Sequence, residues 1–354
     1  MAMNEKITFG VFADLHYKKG MYIPSVEDLK SVFRFSKENQ AEFVIHLGDM
    51  CNDYLHSPEI RKAYLDNEEG FEVFGIYGNH ELETQGNDMA TVTPFLTNAA
   101  DKVVWGTKDG RIGDASIGYY YFDKGNFRFI ATDTNYSLNV STGEYEHNRP
   151  ASWGAPYENA YHDSLGTEQL EWLRNIILDA ANQDKHCIVL SHATFCPEWE
   201  ISPDGEAVLG IFREANSIKE GAVVLALNGH WHDNRQTVVE NVTFIDVNTV
   251  RNGFWQNEKY FPYAEEDPEN PRYTFEYVDY DENGVEKGRE IRALESLRMS
   301  SRTLYFDSPL SATVTVGENG RIELKGRSAN WIYGIKPDNI DIPDRLLRID
   351  DFNN

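Results

Sequence analysis

Apolar positions in the first two-thirds of the chain follow two alternating patterns. Short, mostly apolar runs at residues 7–13, 43–47, 72–77, 187–190 and 223–227 read as buried strands. Between them, apolar residues recur at helical spacing. Ser25 opens one such segment with Asp28 three residues on, in capping-box order, and Leu29, Val32 and Phe33 follow. Thr167–Asn182 is the clearest helix, with Thr167 expected as its N-cap, Glu168 and Glu171 in the first turn, and Leu170, Leu173, Ile176, Ile177 and Ala180 as the apolar stripe. Residues 119–122 and 127–132 flank Lys124-Gly125-Asn126 as a hairpin, and 238–247 turns at Glu240-Asn241. From residue 257 the pattern fades into Glu, Asp, Pro and Tyr. It returns at 312–316 and 321–324, which bracket the hairpin signal Gly317-Glu318-Asn319-Gly320.

Composition narrows the partners. A chain of 354 residues with 41% hydrophobic side chains can fill a sizeable core, and 19 Phe, 19 Tyr and 7 Trp exclude whole-chain disorder. The net charge of −25 argues against broad nucleic-acid binding and against a polybasic membrane contact. No apolar run approaches the roughly 18 residues of a membrane span. A small phosphorylated ligand stays open, because bound metal ions reverse the local potential. Cys51, Cys187 and Cys196 form no CxxC pair and fit a reducing compartment, and the opening Met-Ala-Met-Asn-Glu-Lys carries no apolar signal region. The expected location is cytoplasmic.

Five short stretches carry chemistry, each at the carboxyl end of a predicted strand: Asp14-Leu15-His16, Gly48-Asp49, Gly78-Asn79-His80-Glu81, Ser191-His192 and Gly229-His230-Trp231-His232. Ligands gather at that edge of open α/β sheets. Imidazole with carboxylate and amide oxygens suits Zn, Fe or Mn rather than Ca or Mg. Leaving out His80, seven ligand residues exceed one tetrahedral site and fit two ions sharing a carboxylate. His46, His56, His147, His162 and His186 fall outside the pattern and read as ordinary histidines.

Together the five stretches resemble the complete signature of the calcineurin-like metallophosphoesterase superfamily, over roughly residues 5–255. The resemblance implies an α/β fold, a four-layer αββα sandwich of two mixed sheets with helices outside. It implies that Asp14, His16 and His232 hold one divalent transition metal, that Asn79, His192 and His230 hold another, and that Asp49 bridges them. It places His80 near the scissile phosphate as general acid, with Glu81 and Asn52 behind it. Many members have Asp where Asn52 stands, oriented toward the catalytic histidine. Residues 1–256 are then the catalytic domain, and residues 257–354 are expected as a strand-rich extension packed on it.

The implied activity is hydrolysis of a phosphate ester by a metal-bridging hydroxide, with His80 protonating the leaving oxygen. The pattern is nearer to bacterial phosphodiesterase-like members than to Ser/Thr protein phosphatases, since Gly48-Asp49 is followed by Met50-Cys51-Asn52-Asp53-Tyr54 without the expected Arg. Tyr17, Phe195, Trp199, Trp231 and Trp153 are candidates to stack on a nucleobase. The expected substrate is a small nucleotide-like phosphodiester. The alternatives are a phosphomonoesterase or nucleotidase, and a non-catalytic metal-binding scaffold.

Overall fold

Phenylalanines at alternate strand positions hold two β-sheets face to face. The structure is a computed structural model. It describes residues 6–17, 19, 24–52, 57–83, 92–106, 118–139, 141–147, 160–199, 202–255, 274–280, 286–293, 303–317 and 320–330. In the first sheet β1 (Lys6–Phe12), β2 (Phe43–His46) and β3 (Glu72–Gly75) are parallel neighbours. On the other side of β1 lie the antiparallel strands β18 (Ala312–Gly317) and β19 (Ile322–Gly326), giving the order β19-β18-β1-β2-β3. The pairing of β1 with β18 runs from Lys6↔Gly317 to Val11↔Ala312. The late hairpin signal is therefore an extension of the first sheet.

The second sheet has seven strands, with parallel β6 (Phe127–Ala131), β10 (His186–Leu190), β11 (Val223–Asn228) and β13 (Val242–Asp246) at its centre. Antiparallel β12 (Arg235–Val239) borders β13, while β5 (Tyr120–Lys124) and β4 (Val104–Trp105) extend the side of β6. Both predicted hairpins form. Glu240 and Asn241 each take positive φ, as the tight turn between right-twisted strands requires.

Phe74 of β3 stacks on Phe122 of β5 with centroids 3.8 Å apart, and Phe9 and Phe43 meet Phe129 edge-on at 5.2 Å. Helices cover the outer faces. α1 (Val26–Glu38) packs Leu29, Val32 and Phe33 on the first sheet, beside α2 (Pro58–Leu65). The capping box at Ser25 and Asp28 is present. On the second sheet α4 (Thr167–Asn182) and α5 (Gly205–Ile218) bring Leu173, Ile177, Val208 and Phe212 against Val189, Val223 and Phe244. The layers are thus helix, sheet, sheet, helix, as the resemblance implied. The N-cap expectation for Thr167 is corrected. Gly166 is the N-cap, at φ +78°, and Thr167 is the first helical residue.

A third, three-stranded sheet has the order β8-β7-β9, from β7 (Tyr136–Asn139), β8 (Tyr145–His147) and β9 (Ala160–Ser164). It rises from the carboxyl end of β6. The half-buried side chains along β7 give no alternation for the sequence pattern to announce it. Two further antiparallel pairs are present among the described residues: β14 (Asn252–Trp255) with β17 (Thr303–Tyr305), and β15 (Thr274–Tyr280) with β16 (Glu286–Ala293). Among the described residues no helix is long and apolar enough to cross a membrane, and the three cysteines are buried.

Candidate metal centre

β1, β2 and β3 end at one edge of the first sheet, and β10 and β11 end at the matching edge of the second. The residues just past those ends are the five motif stretches. Their backbones bend sharply there. Asp14, His16, Asp49, His230 and His232 all have positive φ, at 53°, 50°, 55°, 78° and 53°. For residues with a Cβ that conformation is costly, and such strain clusters where a structure must aim side chains. The motif glycines make room for them. A Cβ on Gly78 would run into Asp49 Oδ1, and one on Gly229 would lie 2.5 Å from Asp14 Oδ2.

The ligating atoms converge in two groups. Asn79 Oδ1, His192 Nε2 and His230 Nδ1 lie 3.1, 3.2 and 3.3 Å from one another. In the other group His16 Nε2 is 2.9 Å from His232 Nε2 and 3.7 Å from Asp14 Oδ1, and His232 Nε2 is 3.3 Å from Asp14 Oδ1. Atoms each about 2.1 Å from one ion are spaced by about 3.0–3.4 Å. Asp49 Oδ2 is common to both, 3.3 Å from His192 Nε2 and 3.7 Å from His16 Nε2.

For Asp14, Asp49, His192 and His16 the inward atom is left for a ligand because its partner atom is tied elsewhere. Asp14 Oδ2 accepts from the His230 N–H at 3.0 Å, and Asp14 Oδ1, fully buried, accepts no hydrogen bond. Asp49 Oδ1 accepts from the His80 N–H at 2.8 Å, leaving Oδ2 inward. His192 Nδ1 lies 2.7 Å from the carbonyl of Leu47, and His16 Nδ1 lies 3.2 Å from Asn52 Oδ1. Those contacts fix the tautomers that expose Nε2. The orphaned Asp14 oxygen and imidazole nitrogens facing each other are unfavourable in a buried site, and divalent cations resolve both. The residues fit two transition-metal ions.

The electrostatics agree. Burial alone would raise the Asp14 carboxyl, but the imidazoles of His16, His232 and His192 facing it outweigh burial, so it sits below the ordinary carboxylate range. Burial also opposes ionisation of Asp49, and His192, His80 and His16 overcome it in the same direction. Burial would lower His192, yet Asp49 and Asp14 push it up to about 10. Metal binding must displace that proton.

His80 starts the short helix α3 (His80–Glu83), and its side chain is 32% exposed. Its Nε2 is 3.9 Å from Asp49 Oδ2, and its ring meets His16 edge-on at 4.7 Å. Glu81 is fully buried and clamps the backbone, accepting from the N–H groups of Asp49 at 2.8 Å, Met50 at 2.7 Å and Gly78 at 2.5 Å. Asn52, which follows the bridging-carboxylate motif, sets its amide oxygen 3.2 Å from His16 Nδ1.

The aromatic candidates separate. Phe195 is 2% exposed inside the second core cluster, so it is a packing residue with no ring face for a base. Trp199 packs against the same cluster. Tyr17 is buried and donates from its hydroxyl to Glu59 Oε1 at 2.5 Å. Trp231 stays half-buried beside the centre, its ring 5.3 Å from His230 and under the Arg235 guanidinium at 5.7 Å. Trp153 lies outside the described residues.

Sequence reasoning missed a buried network after β6. Thr132, Asp133, Thr134 and Asn135 are all buried, and Asn135 Nδ2 donates to the Gly78 carbonyl at 3.2 Å. A polar run directly after an apolar strand was the available signal.

Comparison with known proteins gives the same direction. The model of the family described as calcineurin-like phosphoesterase matches residues 7–234. A manganese-dependent ADP-ribose/CDP-alcohol diphosphatase of Mus musculus is 22% identical over 267 residues, covering 64% of this chain and 77% of that protein. Its Bos taurus counterpart is 21% identical, covering 64% and 78%. The crystal structure of a dimetal phosphatase from Danio rerio superposes with a TM-score of 0.55 at 18% identity, covering 91% of this chain and 96% of that one. That likeness is one of fold.

Proposed function

Because the chain belongs to the calcineurin-like phosphoesterase family, we propose that it is a manganese-dependent phosphodiesterase whose substrates are small nucleoside diphosphate esters. Membership makes it a metal-dependent phosphoester hydrolase. The substrate class takes its support from the names of the two mammalian relatives. The observation that carries the reading is Asp49 Oδ2, shared by two groups of ligating atoms beside a partly exposed histidine.

In this reading Asp14, His16 and His232 would hold one ion, Asn79, His192 and His230 would hold the other, and Asp49 would serve both. When bound, the ions supply activated water and neutralise phosphoryl charge. The chain does the rest. Ionised Asp14 and Asp49 keep the ligand set anionic, and Glu81 holds the Asp49 and Gly78 backbones in register. Nε2 of His80, on the exposed side of the centre, hands a proton to the oxygen that leaves. Imidazole does this readily near neutral pH. Trp231 offers an apolar face next to His230.

The first test loads the protein with Mn²⁺ and compares bis-p-nitrophenyl phosphate with p-nitrophenyl phosphate, then ADP-ribose. Faster turnover of the diester and hydrolysis of ADP-ribose are expected. A preference for the monoester would sink the diester reading. His80→Ala should lower kcat by about 10²–10⁴-fold with two ions still bound. Loss of an ion from that variant would make His80 a ligand, a role that its spacing from His16 and Asp49 permits.

A further inference from the structure

His147 lies outside the five motifs and has no part in the chemistry above. It ends β8 in the small sheet that rises from the metal-bearing edge. Its Nε2 is 2.9 Å from Asp133 Oδ2, and its side chain is 19% exposed. Asp133 is fully buried. Burial alone would raise its carboxyl, but the charge of His147 and hydrogen bonds from Asn135 hold it below the ordinary range.

The pair is anchored on both sides. Asp133 Oδ1 accepts from the N–H of Asn135 at 3.0 Å and from its Nδ2 at 2.9 Å, and that same amide group reaches the Gly78 carbonyl. Gln169 of α4 brackets the Asp133 peptide, accepting from its N–H at 2.8 Å and donating to its carbonyl at 2.7 Å. A chain of four residues therefore fixes His147 relative to the turn that carries Asn79 and His80. Across the small sheet Asp163, itself at φ 62°, is near enough for its charge to act on His230. The sheet thus lies beside the group formed by Asn79, His192 and His230.

With Nε2 engaged by Asp133, Nδ1 is the ring nitrogen left for a ligand. A buried carboxylate behind an imidazole is the arrangement that orients it and supplies its counter-charge. Resting on the diphosphate-ester reading, we propose that His147, held by Asp133, binds the second phosphoryl group of the substrate, the one not attacked. Asp133 is a positioning residue for it. A diphosphate ester carries that second charged group one bridging oxygen from the first. A monophosphate diester has nothing to offer it.

Calorimetry on the Mn²⁺-loaded protein tests this without turnover, using the α,β-methylene analogue of ADP against AMP. The wild type should bind the analogue more tightly. His147→Ala should weaken the analogue about tenfold and leave AMP within about twofold, the size of one charge-assisted hydrogen bond. His147→Arg, which keeps a cation, should retain most of the preference. Asp133→Asn, which keeps the shape, should fall between. Manganese content checks that each variant is loaded. Equal weakening of both ligands, no weakening, or no preference in the wild type overturns the proposal. ADP-ribose turnover by the wild type is read separately. Its absence would remove the substrate reading, while the binding ratio still decides the role of His147.

Discussion

Three backbone N–H groups, those of Asp49, Met50 and Gly78, converge on the carboxylate of Glu81. A carboxylate accepts all three, but an amide offers one oxygen and turns an NH₂ toward at least one of the same donors. Glu81→Gln should therefore lower stability by about 1–3 kcal/mol. It should also reduce manganese content, since the Asp49 and Gly78 backbones lose their common anchor. Thermal unfolding and metal analysis of one preparation check both. Glu81 stands in the sequence as one letter of Gly78-Asn79-His80-Glu81, but its partners across the chain carry no local signature. The metal-binding candidates are legible because each follows an apolar strand and belongs to a residue type with few other uses there. Phe195 misleads for the converse reason: an aromatic near a motif has the same letter whether it faces a ligand or the core.

At the scale of elements, a short polar side chain before an apolar stripe is readable when it caps. Ser25 accepts from the Asp28 N–H at 3.3 Å, and Asp28 Oδ2 returns the bond to the Ser25 N–H at 2.7 Å. Ser25→Ala should cost about 1 kcal/mol, measured as a shift in the urea midpoint. Asp28 also meets Arg251 in a buried ion pair at 2.5 Å, so its other oxygen ties the α1 start to the segment after β13. Thr167 shows the limit of the rule. Asp204 Oδ2 takes the N–H groups of Leu165 and Gly166, and the chain enters α4 through a glycine at positive φ. A remote carboxylate sets that entry, so the local letters point one residue too far. The small sheet escapes for another reason. β7 is half-buried along its length and alternates too weakly to register.

For the whole molecule, acid sensitivity follows from a histidine that cannot accept its proton. His46 in β2 is 2% exposed, its ring lies 4.8 Å from Phe12, and Nε2 finds no partner. Burial, the largest influence, lowers it from the ordinary 6.5 to about 3. Between those values the unfolded chain binds a proton that the folded chain refuses. The His46 contribution to stability is therefore full above about pH 6.5 and declines as pH falls toward 3, by about 1.4 kcal/mol per unit. Urea unfolding at pH 7, 6 and 5 should give that slope, and His46→Phe should flatten it. The alternation of parallel strands and helices is legible in the order of apolar runs, because parallel strands need crossovers and the crossovers carry helical periodicity, while the four-layer stacking came from the motif resemblance. The insertion of β18 beside β1 is not, since strand order depends on which edge is free once the sheet assembles.

That insertion also has a clock. Lys6 meets Gly317 and Val11 meets Ala312, so β1 leaves the ribosome long before the neighbour that completes it is made. At about 5–20 residues per second the wait is roughly 15 to 60 seconds. Through that interval β1, which will hold Asp14 and His16 at its end, presents one unpaired side to every other chain nearby. Translation speed in the last third of the message, and the helpers that shield bare strands, thus bear on how much of this protein reaches its metal-binding form.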